Sequence, residues 1–271
     1  MTSNKAITNF IINRIRPKID RFNHFADTKL SFKSKSKNAV DPVTSIDVKI
    51  DREVTKLIKD KFPSHLISSE ENKKTKDTKN FNWIIDPVDG TKSLILGLPT
   101  WSNLIGYYVK NKPKIGFANF PKLGKYYYSD GQSTYKVEKN KKKIKISAGK
   151  INSKTHSLVL NSIHPLKKTK IFKKILKFRG ILKLSGADAF NYCLLAEGKI
   201  DTIIDLNVKT FDILPLIPIL KNSGAVITNF KGRLDFKSPE ILVSRNLVLH
   251  KKMLKLVLDN LKFQNQTNTK I

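Results

Sequence analysis

WIIDPVDGTKSL, residues 83–94, decides how this chain is read. An apolar run, Trp83-Ile84-Ile85, ends in Asp86 and Asp89, with Pro87 between them and Gly90-Thr91 behind. The run predicts a buried strand. A strand that stops this way points two carboxylates past the end of a sheet. Pro87 fixes the backbone, and Gly90 permits a tight turn or the close approach of a ligand. Two like charges this close repel and favour a cation between them. Hard divalent ions such as Mg²⁺ take oxygen ligands and commonly hold phosphates. A helix starting near Thr91-Lys92 would aim free N–H groups at the same place, which favours a phosphate there.

An Asp-Gly pair alone is an ordinary turn, but three further acidic features accompany this one. Glu70-Glu71 close the predicted strand HLISSEE (65–71), Asp47 sits near the start of a helix, and Asp212 precedes an apolar helix. Each alone reads as a solvated acid or a helix cap. Together they can build a site for two or three ions. The five histidines (24, 65, 156, 164, 250) show no metal-like spacing.

The 271 residues, 39% of them apolar, suffice for one large or two small domains with a sizeable core. The formal charge of +30 admits a polyanion partner or phosphorylated substrates. The lysines are spread along the whole chain, which reads as compositional drift. The dense run EKNKKKIKIS (138–147) reads as a charged hairpin edge that resists aggregation. Cys193 is the only cysteine and falls in a helical apolar run, so it reads as core and fits a reducing cytoplasm. No stretch approaches the roughly 20 apolar residues of a membrane helix.

Periodicity predicts helices over 5–30 and 45–63, then a strand at 65–71 and a meander to about residue 148. Beyond it, strands at SLVLNS, IDTIIDL and AVITNFKG alternate with helices at KTKIFKKILKF, GADAFNYCLLAEG, DILPLIPILKNSG and HKKMLKLVLDNLKF. This divides the chain into an N-terminal half (1–148) carrying the acidic strand end, a C-terminal half (149–263) completing the site, and a frayed tail (264–271). No linker separates them, so one structural unit is expected.

IIDPVDGT resembles the signature of the inositol monophosphatase family of Mg²⁺-dependent phosphatases. DPVTSID (41–47), HLISSEE (65–71) and VKTFDILPLIPILKNSGAVIT (208–228) resemble that family's other motifs, in its order and spacing. The resemblance implies an α+β fold, a layered αβαβα sandwich. It also implies two to three Mg²⁺ ions, with Glu70, Asp86 and the Val88 carbonyl at the first and Asp86, Asp89 and Asp212 at the second. The resemblance further implies that Glu70 reaches a weaker third ion through water. Gly90 and Thr91 resemble the phosphate-contacting turn, and Asp47 with Thr91 the pair that orients the attacking water. Ser69 stands where the family usually has Gly, and Phe211 where many members have Trp or Tyr. Paired ions that acidify water and stabilise the leaving alkoxide need no cysteine or serine nucleophile.

DGTKSLILGLPTWSNLIGYYVKNKPKIGFANFP and GADAFNYCLLAEGKIDTIIDLNVKTFDILPLIPIL are similar to the histidinol-phosphatase branch of that family. That implies hydrolysis of L-histidinol phosphate in histidine biosynthesis. Asp188 and Asp205 are the candidates to face its amine or imidazole. An inositol-1-monophosphatase or a 3′(2′),5′-bisphosphate nucleotidase would share every metal ligand and differ in the substrate wall. A noncatalytic polyanion-binding protein would account for the charge but not for five acids kept in order. The partner expected is a small phosphorylated metabolite, not specific nucleic acid or a membrane, and the resemblance implies a cytoplasmic homodimer.

Overall fold

The computed structural model describes residues 2–23, 32–34, 42–72, 80–150, 155–161, 178–186, 188–234 and 238–267. Its N-terminal arm runs as α1 (Asn4–Phe10), a π-helical turn (Ile11–Ile15) and α2 (Arg16–Asn23). A short antiparallel pair, β1 (Phe32–Ser34) and β2 (Pro42–Thr44), leads into α3 (Ser45–Lys61).

The first sheet has seven strands in sequence order: β3 (Ile67–Ser69), β4 (Trp83–Asp89), β5 (Ser102–Val109), β6 (Lys112–Phe120), β7 (Lys125–Ser129), β8 (Thr134–Glu138) and β9 (Ile144–Ile146). The expected meander is present, with one difference: β3 and β4 run parallel. The lysine run forms the turn into β9, the exposed last strand of the sheet.

Alternation along the strands sorts their side chains into two cores. On β4 and β5, Trp83, Ile85 and Ile105 face Ile7, Ile11 and Ile15 of the arm and Ile50, Val54 and Ile58 of α3. Their neighbours Ile84 and Leu104 face the opposite way, into a second core. That second core is filled by α5 (Asp188–Ala196), α6 (Thr210–Ile213) and α7 (Ile217–Asn222), with a 3₁₀ turn, Leu214–Leu216, between the last two. The predicted helix at 212–224 is therefore broken at Pro215, as a proline in a helix interior requires.

Gly106 and Gly116 pair directly across β5 and β6 and let this middle layer approach. A Cβ at Gly116 would lie 2.4 Å from the Pro215 carbonyl, and one at Gly106 would lie 3.0 Å from the Pro215 Cα.

The second sheet, in the order β11-β10-β12-β14-β13, comprises β10 (Ser157–Leu160), β11 (Ile181–Leu184), β12 (Thr202–Asp205), β13 (Val226–Asn229) and β14 (Ile241–Ser244). Its alternation closes the stack. Val159, Ile203 and Val243 face the middle helices, while Leu158, Ile204 and Leu242 face Met253 and Val257 of α8 (Leu247–Thr267). The layers are helix, sheet, helix, sheet, helix, as expected for an α+β sandwich. α8 continues to Thr267, past residue 263 where fraying was expected, and 268–271 lie outside the described residues. So do most of the expected helix at 168–178 and the end of the one at 5–30.

Candidate active site

The site forms where β3 and β4 end. The parallel pairing of β3 and β4 places Ser69 opposite Ile85, and the Glu70 N–H donates to the Ile85 carbonyl at 3.1 Å. Glu70 and Asp86 therefore leave the sheet side by side. Asp212 joins them from the first turn of α6, inside that helix rather than before it; its Oδ2 accepts the Lys209 N–H at 3.3 Å. Each of Glu70, Asp86 and Asp212 offers an oxygen within 4.8 Å of the others.

Asp86 and Asp89 are buried. Asp86 Oδ1 accepts the Val88 N–H at 3.0 Å, which curls the chain over it. Asp89 Oδ2 accepts the Ser102 hydroxyl at 3.1 Å, and Asp89 also accepts the N–H of Ala189. The start of α5, from the far half of the chain, thus touches the acidic strand end. Gly90 then takes φ +78°, the left-handed region that glycine enters at no steric cost, and α4 (Thr91–Ile95) begins.

Asp47 lies in the first turn of α3. Its Oδ2 accepts both the N–H (2.9 Å) and the hydroxyl of Thr44, forming a capping box. Its Oδ1 lies 3.3 Å from the Thr91 hydroxyl, which is also 3.1 Å from the Val88 carbonyl. One hydroxyl proton serves one acceptor at a time. Any cation that engages the Val88 carbonyl would turn Thr91 toward Asp47.

The electrostatics are those of a site made for cations. Burial, then repulsion from Glu70, Asp89, Asp212 and Asp47, holds the Asp86 carboxyl well above the usual range. Asp212 is raised for the same reasons, burial first and then Asp89 and Glu70. Asp89 is pushed up to about 6, chiefly by burial. Lys209 offsets little of this: it is half exposed, 3.4 Å from Glu70. An all-oxygen, like-charged donor set, with Asp86 buried and Glu70 and Asp212 partly buried, fits hard divalent cations.

A profile of the inositol monophosphatase family matches residues 8–262. The chain belongs to the inositol monophosphatase family. Within this family of phosphatases, a histidinol-phosphatase of Chlorobaculum parvum is 29% identical over 219 residues, covering 78% of this chain and 81% of that one. The chloroplastic bifunctional phosphatase IMPL2 of Arabidopsis thaliana is 30% identical over 201 residues, 73% of this chain; the match spans 57% of the Arabidopsis protein's length. An IMPase/NADP phosphatase solved with Mg²⁺ and phosphate superimposes with a TM-score of 0.78 at 19% identity, covering 93% of this chain and 95% of that one, which shows the fold.

The substrate candidates fare differently. Asp188 opens α5, and its side chain lies outside the described residues. Asp205 is fully enclosed at the end of β12. Its Oδ2 accepts from Asn161 (3.3 Å) and Tyr192 (3.1 Å), and its Oδ1 from the Asn207 N–H (3.1 Å). Those bonds fix the orientation of the carboxylate at the end of β12.

Several contributors escaped the sequence reading. Lys209, Ser102 and Asn103, whose Nδ2 donates to the Pro87 carbonyl at 2.7 Å, all reach the acids from elsewhere in the chain. Ser69, the departure from the family's Gly, donates to Asp51 on α3, a carboxyl raised by burial. His65 accepts from Trp83 and buried His250 bonds Thr228; neither joins the acidic cluster.

Proposed function

We propose that this chain is a Mg²⁺-dependent phosphomonoesterase that hydrolyses L-histidinol phosphate to L-histidinol and phosphate. The observation that carries the hydrolase reading is the convergence of Glu70, Asp86 and Asp212 beside the Gly90-Thr91 turn. Glu70, Asp86, Asp89, Asp212 and the Val88 carbonyl are the groups that would hold Mg²⁺, in two or three sites. Bound there, the metal would supply charge neutralisation for the phosphoryl oxygens and acidify water.

The chain's own groups do the rest. The first N–H groups of α4 meet phosphate oxygens, and Gly90 lets that backbone come close. The Thr91 hydroxyl, facing Asp47, orients a water and takes part in passing its proton to the Asp47 carboxylate.

Support for the substrate is the resemblance in 91–121 and 186–220, together with the likeness to the Chlorobaculum histidinol-phosphatase. Asp188 and Asp205 are the residues proposed to face the amine or the imidazole. Tyr192 and Asn161 orient the Asp205 carboxylate. A cytoplasmic homodimer acting on a small metabolite completes the proposal. Among the described residues, no helix is long and apolar enough to cross a membrane.

The test is kcat/KM across histidinol phosphate, inositol 1-phosphate, 3′-phosphoadenosine 5′-phosphate and fructose 1,6-bisphosphate, since specificity is a ratio of those values. A charged hydrogen bond from Asp188 predicts a preference for histidinol phosphate of about ten- to a hundredfold over inositol 1-phosphate. Asp188→Asn should erode that preference more than general phosphatase activity. A higher value for inositol 1-phosphate or the nucleotide overturns the substrate and leaves the family untouched.

A further inference from the structure

On the first sheet, away from the acids, a cavity of about 540 Å³ opens between α2, the β6–β7 turn and the end of β8. Arg16, Lys122, Lys125 and Lys139 line it, and Asp20 and Asn119 also contribute to its wall. Arg16 lies over the Tyr126 ring, 4.9 Å from its centroid, and pairs with Asp20 at 3.1 Å. Glu138, the other acid of the lining, is held by Lys136 (3.1 Å) and Lys141 (2.6 Å). Five basic residues (Arg16, Lys122, Lys125, Lys139 and Lys141) and two acids line the cavity, so its formal charge is positive.

From this cavity a line of buried amides leads to the active site. The Asn119 Nδ2 donates to Asp20 Oδ1 at 3.0 Å and to Asn103 Oδ1 at 3.1 Å. The Asn103 Nδ2 then donates to the Pro87 carbonyl at 2.7 Å, between Asp86 and Asp89. Asn103 and Asn119 pair directly across β5 and β6 and are 1% and 3% exposed. Strand positions buried this deeply ordinarily take apolar residues, and burying an amide is costly unless its bonds are made. Here the bonds form a continuous chain between Arg16 and the loop that carries the acids: Asp20 accepts from Arg16 and Asn119, Asn119 also donates to Asn103, and Asn103 donates to Pro87.

We propose that this cavity is a second anion site, for phosphate-bearing small molecules, and that Asp20, Asn119 and Asn103 couple it to the Asp86–Asp89 loop. An anion that draws Arg16 from Asp20 changes what Asp20 offers Asn119, and the change passes to the Pro87 carbonyl. The anion site does not depend on the phosphatase reading; any effect on turnover does.

The test uses pyrophosphate and the whole protein in excess EDTA, where the bare acids of the active site repel anions. Calorimetry should show one pyrophosphate site, weakened about tenfold or more in Lys122→Gln/Lys139→Gln through loss of charge-assisted hydrogen bonds. The exposed control pair Lys112→Gln/Lys183→Gln should bind like the parent. Equal binding by both double variants, or equal weakening in both, means diffuse attraction to a basic surface and overturns the site. Hydrogen exchange of the segment 84–94 on adding pyrophosphate reads the coupling without metal or turnover. It should change in the parent and stay unchanged in Asn103→Leu, which still binds the anion. No change in the parent, or the same change in Asn103→Leu, overturns the relay.

Discussion

Two buried clusters of carboxylates in this chain have opposite surroundings. At the end of α5, Glu197 is enclosed, yet its carboxyl is held below the usual range. Burial alone would raise it, but hydrogen bonds from Tyr127, Lys199 and Lys136 outweigh that effect. At the end of β4, Asp86, Asp89 and Asp212 are raised, because burial and mutual repulsion outweigh Lys209 and the hydrogen bonds that Asp89 accepts from Ser102 and Ala189. A buried charge needs a partner. The fold supplies one to Glu197 and leaves the β4 cluster for a cation from solution. The difference separates a carboxylate that holds structure from the carboxylates proposed to hold a cation.

Asp89→Asn separates the two clusters most sharply. It removes a charged ligand and should lower kcat by about a hundredfold or more, as loss of one electrostatic stabiliser does, with the fold intact. In EDTA the same change should stabilise the protein. A carboxyl at about 6 in the fold and near 3.8 unfolded binds more protons when folded, so its contribution to stability falls as pH rises from about 4 to 6. The gain in melting temperature for Asp89→Asn over the parent should therefore grow across that window and level off above it. A gain independent of pH would show that Asp89 is not held in its acid form.

Glu197→Gln should do the reverse. It leaves Lys136 partly buried beside an amide and should cost about 2–3 kcal/mol in urea unfolding, with kcat within about twofold of the parent. A large loss of kcat at unchanged stability would merge the two clusters into one functional class.

The contrast was half legible in the sequence. IIDPVDGT reads as a strand ending in acids because apolar run, proline, glycine and charge occur together within a few residues. The seven-stranded meander follows for the same reason: its pairings are local. Strand β14, with only four residues, is too short to show a period, and it pairs with β12 and β13 rather than with a neighbour it announces. Likewise, Lys209 reaching Glu70, Asn103 reaching Pro87, and Glu197 meeting Lys136 are contacts between distant residues that no local pattern carries. Asp205 reads as a wall acid from its position, but the bonds that orient it, from Asn161 and Tyr192, come from other segments of the chain.

Ser69→Gly, which restores the family's usual residue, is the smallest test. It removes the hydroxyl that bonds Asp51 and adds backbone freedom, so a loss of about 1–2 kcal/mol is expected, with kcat within about twofold. A loss of activity without a loss of stability would place Ser69 with the acids rather than beneath them.

The most direct measurement of the central claim is calorimetric titration of the metal-free protein with Mg²⁺, run on the parent, Asp86→Asn and Glu197→Gln. The parent and Glu197→Gln should take up the ion with similar affinity. Asp86→Asn should lose at least about tenfold in affinity, since one charged oxygen ligand is gone. A parent that binds no Mg²⁺, or an Asp86→Asn protein that binds it equally well, would contradict the account.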